Sequence, residues 1–383
     1  MNIKRLARLS AFVALLLAAG CTTTDTKTAA PPPKQVVKTP PRPGPAPTPP
    51  LPPPAVASEI RAVWVSETGK LDWDTATSAL QRGGFNTMYV NFASGGAALY
   101  PRSGVLPSVV SRDDLTRGIA LAHQRGIAVH AKIIAAFMFK VPPSFQQKLI
   151  RAGRVMRGPD GKVVLQSEQA WLCPSQKENR DLVAASVREI LARYPVDGVQ
   201  FDYIRFCEQP SCFCAHCRHD FEQALGKPVR RWPADITGGP LASRFLEWKR
   251  GVISDWVRQL AEETRRARPG IILSAAVFPE LARAREENSQ DWKLWIDHRW
   301  LDYVCTMTYT APLPDFEARV RAERAILPGN KVVVGIGSWK LKQFSDLAGQ
   351  IGIVRRNGAS GFALFSYDDC AARNFLPNLT GSR

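Results

Sequence analysis

From Ile60 to Tyr367 the chain alternates, eight times over, between an apolar segment of strand character and a segment of helical period. The strand-like runs are IRAVWV (60–65), NTMYVNF (86–92), IAVHAKII (127–134), VQFDYI (199–204), IILSAAVF (271–278), LDYVCTMTY (301–309), KVVVGIG (331–337) and GFALFSY (361–367). Amphipathic helices separate them, among them LDWDTATSALQRGG, SRDDLTRGIALAHQRG with a Ser cap at 111, and LASRFLEWKRGVISDWVRQLAEETRRA. Continuous apolar runs joined by helical crossovers call for parallel strands buried on both faces. Eight such units predict an α/β chain forming a (β/α)8 TIM barrel over 59–372, followed by a C-terminal tail at 373–383. A doubly wound open sheet is the alternative topology. No GxGxxG or P-loop stands at a strand–helix junction, which argues against nucleotide binding.

Chemistry in such barrels gathers at the C-terminal ends of the strands. In chain order those ends offer Ser66 and Glu67, Asn91, His130 and Lys132, then Asp202 with Tyr203 and Arg205. Phe278, Pro279 and Glu280 follow, then Tyr309, Ser338 with Trp339, and Tyr367, Asp368 and Asp369. There is no Ser-His-Asp order and no HExxH. Carboxylates among aromatic rings suit glycoside chemistry, in which two acids flank the scissile bond and rings stack on sugar faces. Asp202 stands inside an apolar strand, where a carboxylate is costly without partners or a task. Alternation places Gln200, Asp202 and Ile204 on one face and Phe201 and Tyr203 on the other. Asp202 is therefore expected as nucleophile or general base, with Glu280 on the neighbouring strand as general acid and Glu286 and Glu287 as its competitors. Glu67, Asn91, His130, Lys132, Tyr203, Arg205, Tyr309, Trp339 and Asp368 are expected to bind substrate. His130 has a second reading as a satisfied interior histidine, and Asp202 one as a partner of Arg205 or Lys132. Trp64, Trp171, Trp248, Trp292 and Trp295 are expected to pack.

The chain opens with MNIKRLARLS, a short apolar run and LAAGC, which describe a secretory signal over residues 1–20. The ending resembles the lipobox of bacterial lipoproteins, so Cys21 is the expected lipidation site and the membrane the expected anchor point. Residues 21–58 hold a dense proline run that cannot bury a core and favours extended polyproline II, the composition of a tether. The formal charge is +17; residues 1–58 carry seven Lys/Arg and one Asp, which leaves +11 on the body. That charge is spread over helices, consistent with a solvated basic surface or with attraction to an acidic polymer. Nothing in it resembles a nucleic-acid recognition motif.

VDGVQFDYIRF, GIAVHAKI, LCPSQKENRDLV, QDWKLWI with LDYVCTMTY, VVVGIGSW and GFALFSYDD together resemble, in order, the blocks of glycosyl-hydrolase-like family ten. The resemblance spans the body and implies an exported bacterial TIM-barrel lipoprotein that hydrolyses a bacterial glycan. Relatives in that family point to peptidoglycan strands stripped of their peptides, and to a cell-envelope location at the outer membrane facing the periplasm. Asp202 matches the aspartate that ends the fourth strand in the family. Two departures are visible: Asp-Tyr where many relatives have successive aspartates, and Lys132 where tryptophan is common. A glycan-binding lipoprotein on a degenerate barrel is the alternative function.

Seven cysteines lie in the body. Cys212, Cys214 and Cys217 form Cys-x-Cys-x-x-Cys, and Cys207 just upstream, or Cys173 brought near, would complete a structural zinc site. Disulfides are the competing expectation in an exported chain. No cofactor is expected for catalysis itself.

Overall fold

The structure, a computed structural model, describes residues 59–66, 68–208 and 210–381; the expected signal, Cys21, the proline-rich tether and Glu67 lie outside the described residues. Its strands are β1 (Ile60–Val65), β2 (Thr87–Ala93), β3 (Ala128–Ile134), β4 (Leu165–Gln166), β5 (Gln169–Ala170), β6 (Gly198–Asp202), β7 (Ile272–Val277), β8 (Tyr303–Met307), β9 (Val332–Gly337) and β10 (Gly361–Phe365). The helices are α1 (Trp73–Arg82), α2 (Asp114–Gln124), α3 (Pro143–Arg151), α4 (Lys177–Arg193), α5 (Ala215–Leu225), α6 (Ala242–Ala267), α7 (Leu281–Glu287), α8 (Trp292–Asp297), α9 (Leu313–Ile326), α10 (Phe344–Arg356) and α11 (Tyr367–Ala372). Eight strands close into a parallel barrel in the order β1, β2, β3, β6, β7, β8, β9, β10, with β10 pairing back onto β1. This is the (β/α)8 arrangement expected from the alternation.

The strands form here because their residues can be buried on both faces. All seven residues of β2 and all six of β9 are buried. Outward-facing Val63, Val65, Met88, Val90, Val199 and Phe201 pack under the helices. Inward-facing Ala62, Trp64, Tyr89, Tyr303, Cys305, Val333 and Ala363 fill the barrel. The interior polar atoms find partners: Trp64 Nε1 donates to Gln200 Oε1 at 2.6 Å, and the Tyr89 and Tyr303 hydroxyls lie 2.9 Å apart. His130 fills the space left by Gly198 on the next strand, where a Cβ would sit 2.4 Å from its Nδ1.

Two local readings differ from the sequence. The cap of α2 is Asp113, whose carboxylate accepts from Thr116 N at 3.2 Å, and not Ser111. The stretch after α11 is not a free tail: its apolar residues Phe375, Leu376 and Leu379 are buried, and a 3-10 turn over Leu376–Gly381 packs beside α1.

The long excursion between β3 and α4 folds back on the barrel mouth. β4 and β5 form a small antiparallel hairpin. Beyond it, Met138 N donates to Ala170 O at 3.0 Å and Leu172 N to Ala136 O at 2.8 Å. These bonds lay Trp171 against Phe137, just past the end of β3, with ring centroids 5.1 Å apart.

Candidate active site

Asp202 is the last residue of β6 and points into the mouth. Its Oδ2 accepts from Lys132 Nζ at 3.2 Å and its Oδ1 from the backbone N–H of Tyr203 at 2.8 Å. The Lys132 side chain is only 3% exposed and that of Asp202 12%, so the pair sits at the boundary between barrel interior and solvent. The register explains the meeting: Lys132 lies opposite Gln200, and Ile134 opposite Asp202, on adjacent parallel strands. Lys132 also lies opposite Asn91 on β2. Asn91 Nδ2 donates to Ser66 O at 3.0 Å, while its Oδ1 is buried without a hydrogen-bond partner.

Strand geometry stops at Asp202. Tyr203 adopts φ +51°, the left-handed region that costs a non-glycine residue about 1–2 kcal/mol. The alternation expected through Ile204 is broken there, and the Tyr203 ring swings onto Phe137, stacked at 5.2 Å and 26°. Trp171 flanks the same ring at 5.3 Å. Arg205 lies over this aromatic wall, its guanidinium carbon 4.7 Å from the Tyr203 centroid, 5.0 Å from Trp171 and 5.1 Å from Phe278. Its Nη1 stands 3.2 Å from Glu208 Oε1. Burial pushes the Tyr203 phenol up to about 12; the negative charge of Asp202 adds to that rise and Arg205 opposes it.

A second aromatic group lies at the ends of β8, β9 and β10. Tyr309 and Trp339 meet edge to face at 4.8 Å, and Phe365 approaches both at 6.0 and 5.6 Å. Gly337 permits this approach, since a Cβ there would come within 2.9 Å of the Trp339 ring. Burial, then the charge of Asp202, pushes the Tyr309 phenol well above its ordinary value, which ties Tyr309 to the Asp202 side of the mouth. Trp339 is 41% exposed, unusual for an indole, and offers a free face to solvent.

Asp202, Lys132, Tyr203, Arg205, Tyr309 and Trp339 thus come together, with Asn91 beside Lys132. Three expected residues stand elsewhere. Glu280 caps α7 without a side-chain hydrogen bond to it, is 51% exposed, and pairs with Arg319 of α9 at 3.1 Å. That ion pair ties its carboxylate to the helix after β8, and no hydrogen bond or ion pair links it to Asp202 among the described residues. Its competitor Glu287 pairs with Arg283 on the outer face of α7 at 2.8 Å. His130 sits two residues below Lys132 in the barrel interior, edge to face with Tyr89 and 3.5 Å from the Tyr303 hydroxyl. Burial holds its pKa down near 4, so it is a neutral interior histidine rather than a substrate contact. Asp368 is exposed in the first turn of α11, where it favours the helix dipole.

Reading along the sequence did not single out Glu208, and it assigned Trp171 only to packing. Glu208 carries one local signal, its place three residues after Arg205; Trp171 carries none, because its position depends on the hairpin that returns it to β3.

Of the two expected fourth members of the cysteine cluster, Cys173 and not Cys207 joins Cys212, Cys214 and Cys217. Cys173, Cys212, Cys214 and Cys217 are all buried, with sulfur atoms all within 4.8 Å of one another. Cys173 directly follows Trp171–Leu172. The Cys173 sulfur lies 3.7 Å from that of Cys214 and 3.4 Å from that of Cys217, separations far beyond a disulfide's roughly 2.05 Å.

The chain is similar to the glycosyl hydrolase DigH of Escherichia coli strain K12, 24% identical over 347 residues that cover 75% of each chain. Among solved structures it resembles the glycoside hydrolase domain of PgaB (BpsB) from Bordetella bronchiseptica, with TM-score 0.68 and 17% identity over 85% of this chain and 99% of that one. It also resembles alpha-L-fucosidase isoenzyme 2 from Paenibacillus thiaminolyticus, with TM-score 0.64 and 16% identity over 85% of this chain and 48% of that one. These structural likenesses concern the barrel. The model of the glycosyl hydrolase-like 10 family matches residues 59–332, most of the barrel and the whole Asp202 region, and the chain belongs to that family.

Proposed function

We propose that this chain is a glycosidase that cleaves O-glycosidic bonds in a bacterial glycan, with peptidoglycan strands stripped of their peptides as substrate. One observation carries the reading: a carboxylate at the end of a central barrel strand, fixed by Lys132 and the Tyr203 N–H, between two aromatic groups. Aromatic faces suit sugar rings, and a fixed carboxylate suits attack at, or water activation beside, an anomeric carbon. Ion-paired with Lys132, Asp202 acts as nucleophile or base, so the leaving oxygen needs its proton from another group. Glu208, held at the rim through Arg205, replaces Glu280 in that role. Trp339 and Tyr309 form the stacking platform, and Lys132, Arg205 and Asn91 orient hydroxyl and acetamido groups. Removing the peptides leaves a free lactyl carboxylate on each muramic acid, and the +11 body favours such an anionic strand.

The same reading places the protein in the cell envelope, tethered through a lipidated Cys21 to the outer membrane on its periplasmic side. The test is digestion of purified sacculi, intact and after amidase treatment, with release of new reducing ends as readout. Release from the stripped glycan well above that from intact sacculi supports the proposal. Binding to both without new reducing ends would favour the glycan-binding alternative, for which the pairing of Glu280 with Arg319 speaks.

A further inference from the structure

We propose that Cys173, Cys212, Cys214 and Cys217 hold one zinc ion, and that this ion fastens the Trp171 segment to the loop after β6, fixing the wall against which Tyr203 and Arg205 stand.

A tetrahedral site with zinc–sulfur bonds of about 2.3 Å has sulfur–sulfur edges of roughly 3.8 Å. The Cys173 edges to Cys214 and Cys217, at 3.7 and 3.4 Å, lie close to that. Four protein sulfurs that are all buried leave no open position, the mark of a structural rather than a catalytic metal. The ligands lie close together in the chain: Cys214 caps α5, Cys217 lies in its first turn, and Cys212 precedes Cys214 by two residues. Cys173 arrives from a different segment, so the ion closes a link between two loops of the barrel mouth.

The surroundings suit thiolates. Cys217 N donates to Cys214 Sγ and Arg157 N to Cys212 Sγ, each at 3.4 Å. The Ser175 hydroxyl lies 3.2 Å from the sulfurs of both Cys173 and Cys217. Binding releases the four thiol protons to solvent and leaves a zinc–tetrathiolate of net charge −2. The buried ammonium of Lys249 is the matching countercharge. It donates to Ser211 O, next to Cys212, at 2.5 Å and stands 4.6 Å from the Phe206 centroid. No carboxylate among the described residues pairs with it. A buried cation without a countercharge is costly, and the anionic cluster removes that cost.

The site does not depend on the chain being a glycosidase, and its test uses no substrate. Protein carrying residues 22–383, purified without chelator, is assayed for metal by mass spectrometry, for thiols before and after denaturation, and after exchange with cobalt. About one zinc per chain is expected, together with the visible bands of a tetrahedral cobalt tetrathiolate. Cys207→Ser should keep the metal and Cys173→Ser lose it. Should Cys173→Ser fail to fold, the cobalt spectrum of the wild-type chain still counts the thiolates. Metal removal should speed hydrogen exchange at 171–176 and 203–206. Zinc below about 0.1 per chain with the four thiols missing from the denatured, unreduced protein would establish disulfides and overturn the proposal. So would loss of metal from Cys207→Ser, or exchange at those segments unchanged by metal removal.

Discussion

Breaking the Lys132–Asp202 pair from one side and then from both tests whether these residues are coupled as the barrel mouth implies. At 3.2 Å and an effective dielectric of about 20, Coulomb's law gives an attraction of roughly 5 kcal/mol before desolvation is counted. Lys132→Met keeps most of the apolar stem and leaves the Asp202 carboxylate with the Tyr203 N–H and some solvent. It should cost about 3 kcal/mol, the low end for breaking a buried pair. Asp202→Asn strands an ammonium that is 3% exposed and should cost about 4–5 kcal/mol. The double variant removes both charges and should be more stable than Asp202→Asn alone, which requires a coupling energy above the roughly 3 kcal/mol cost of Lys132→Met, about 4 kcal/mol. Urea unfolding of the four proteins at pH 7 measures each value. Hydrolysis adds a second reading: the double variant recovers stability and no activity, because the carboxylate is still missing. Single-variant costs that add to within about 0.5 kcal/mol would show that the two side chains do not interact, and the described mouth would be wrong.

Glu323 of α9 is buried, with its carboxylate oxygens accepting from Thr306 and Thr308, both at 2.7 Å. Burial pushes its pKa from 4.5 up to about 7, so the folded chain binds the extra proton. Its stabilising contribution is full below pH 4.5, declines as the pH rises, and is gone above about 7. Glu323→Gln removes that titration, so its stability relative to wild type should rise by about 3 kcal/mol across this range; parallel pH curves would refute it. Trp339→Ala should raise KM roughly fivefold with kcat nearly unchanged, the loss of about 1 kcal/mol of ring contact; a fall confined to kcat would remove Trp339 from substrate binding. Gly198→Ala drives a methyl to 2.4 Å from His130 Nδ1 and should cost about 1–3 kcal/mol by thermal melting, a cost that vanishes in a His130→Ala background.

The barrel was legible because its strands are buried on both faces. IRAVWV matches β1 residue for residue, and KVVVGIG matches β9 apart from its first residue. Asp202 was legible for the converse reason, as a carboxylate where only apolar residues are cheap. What followed each strand was not. Loops carry no period, and a loop side chain goes where its partner stands. Glu280 follows Arg319, which is 39 positions away, and nothing in the run FPELARA reports that. Cys173 joins Cys214 across 41 positions through the hairpin that returns it to the mouth, whereas Cys207, nearer in sequence, is left out of the cluster. Tyr203 shows the limit of alternation: one left-handed residue moves its ring from the face that the period assigns to the aromatic wall beside Asp202.

The central claim is that the Asp202 carboxylate carries the hydrolysis. Its most direct measurement is the rate of new reducing ends from amidase-stripped peptidoglycan, wild type beside Asp202→Asn, with glycan binding followed on the same preparations. The account predicts a loss of about 10³-fold or more for the variant with binding retained. Asp202→Asn hydrolysis within tenfold of wild type would contradict it.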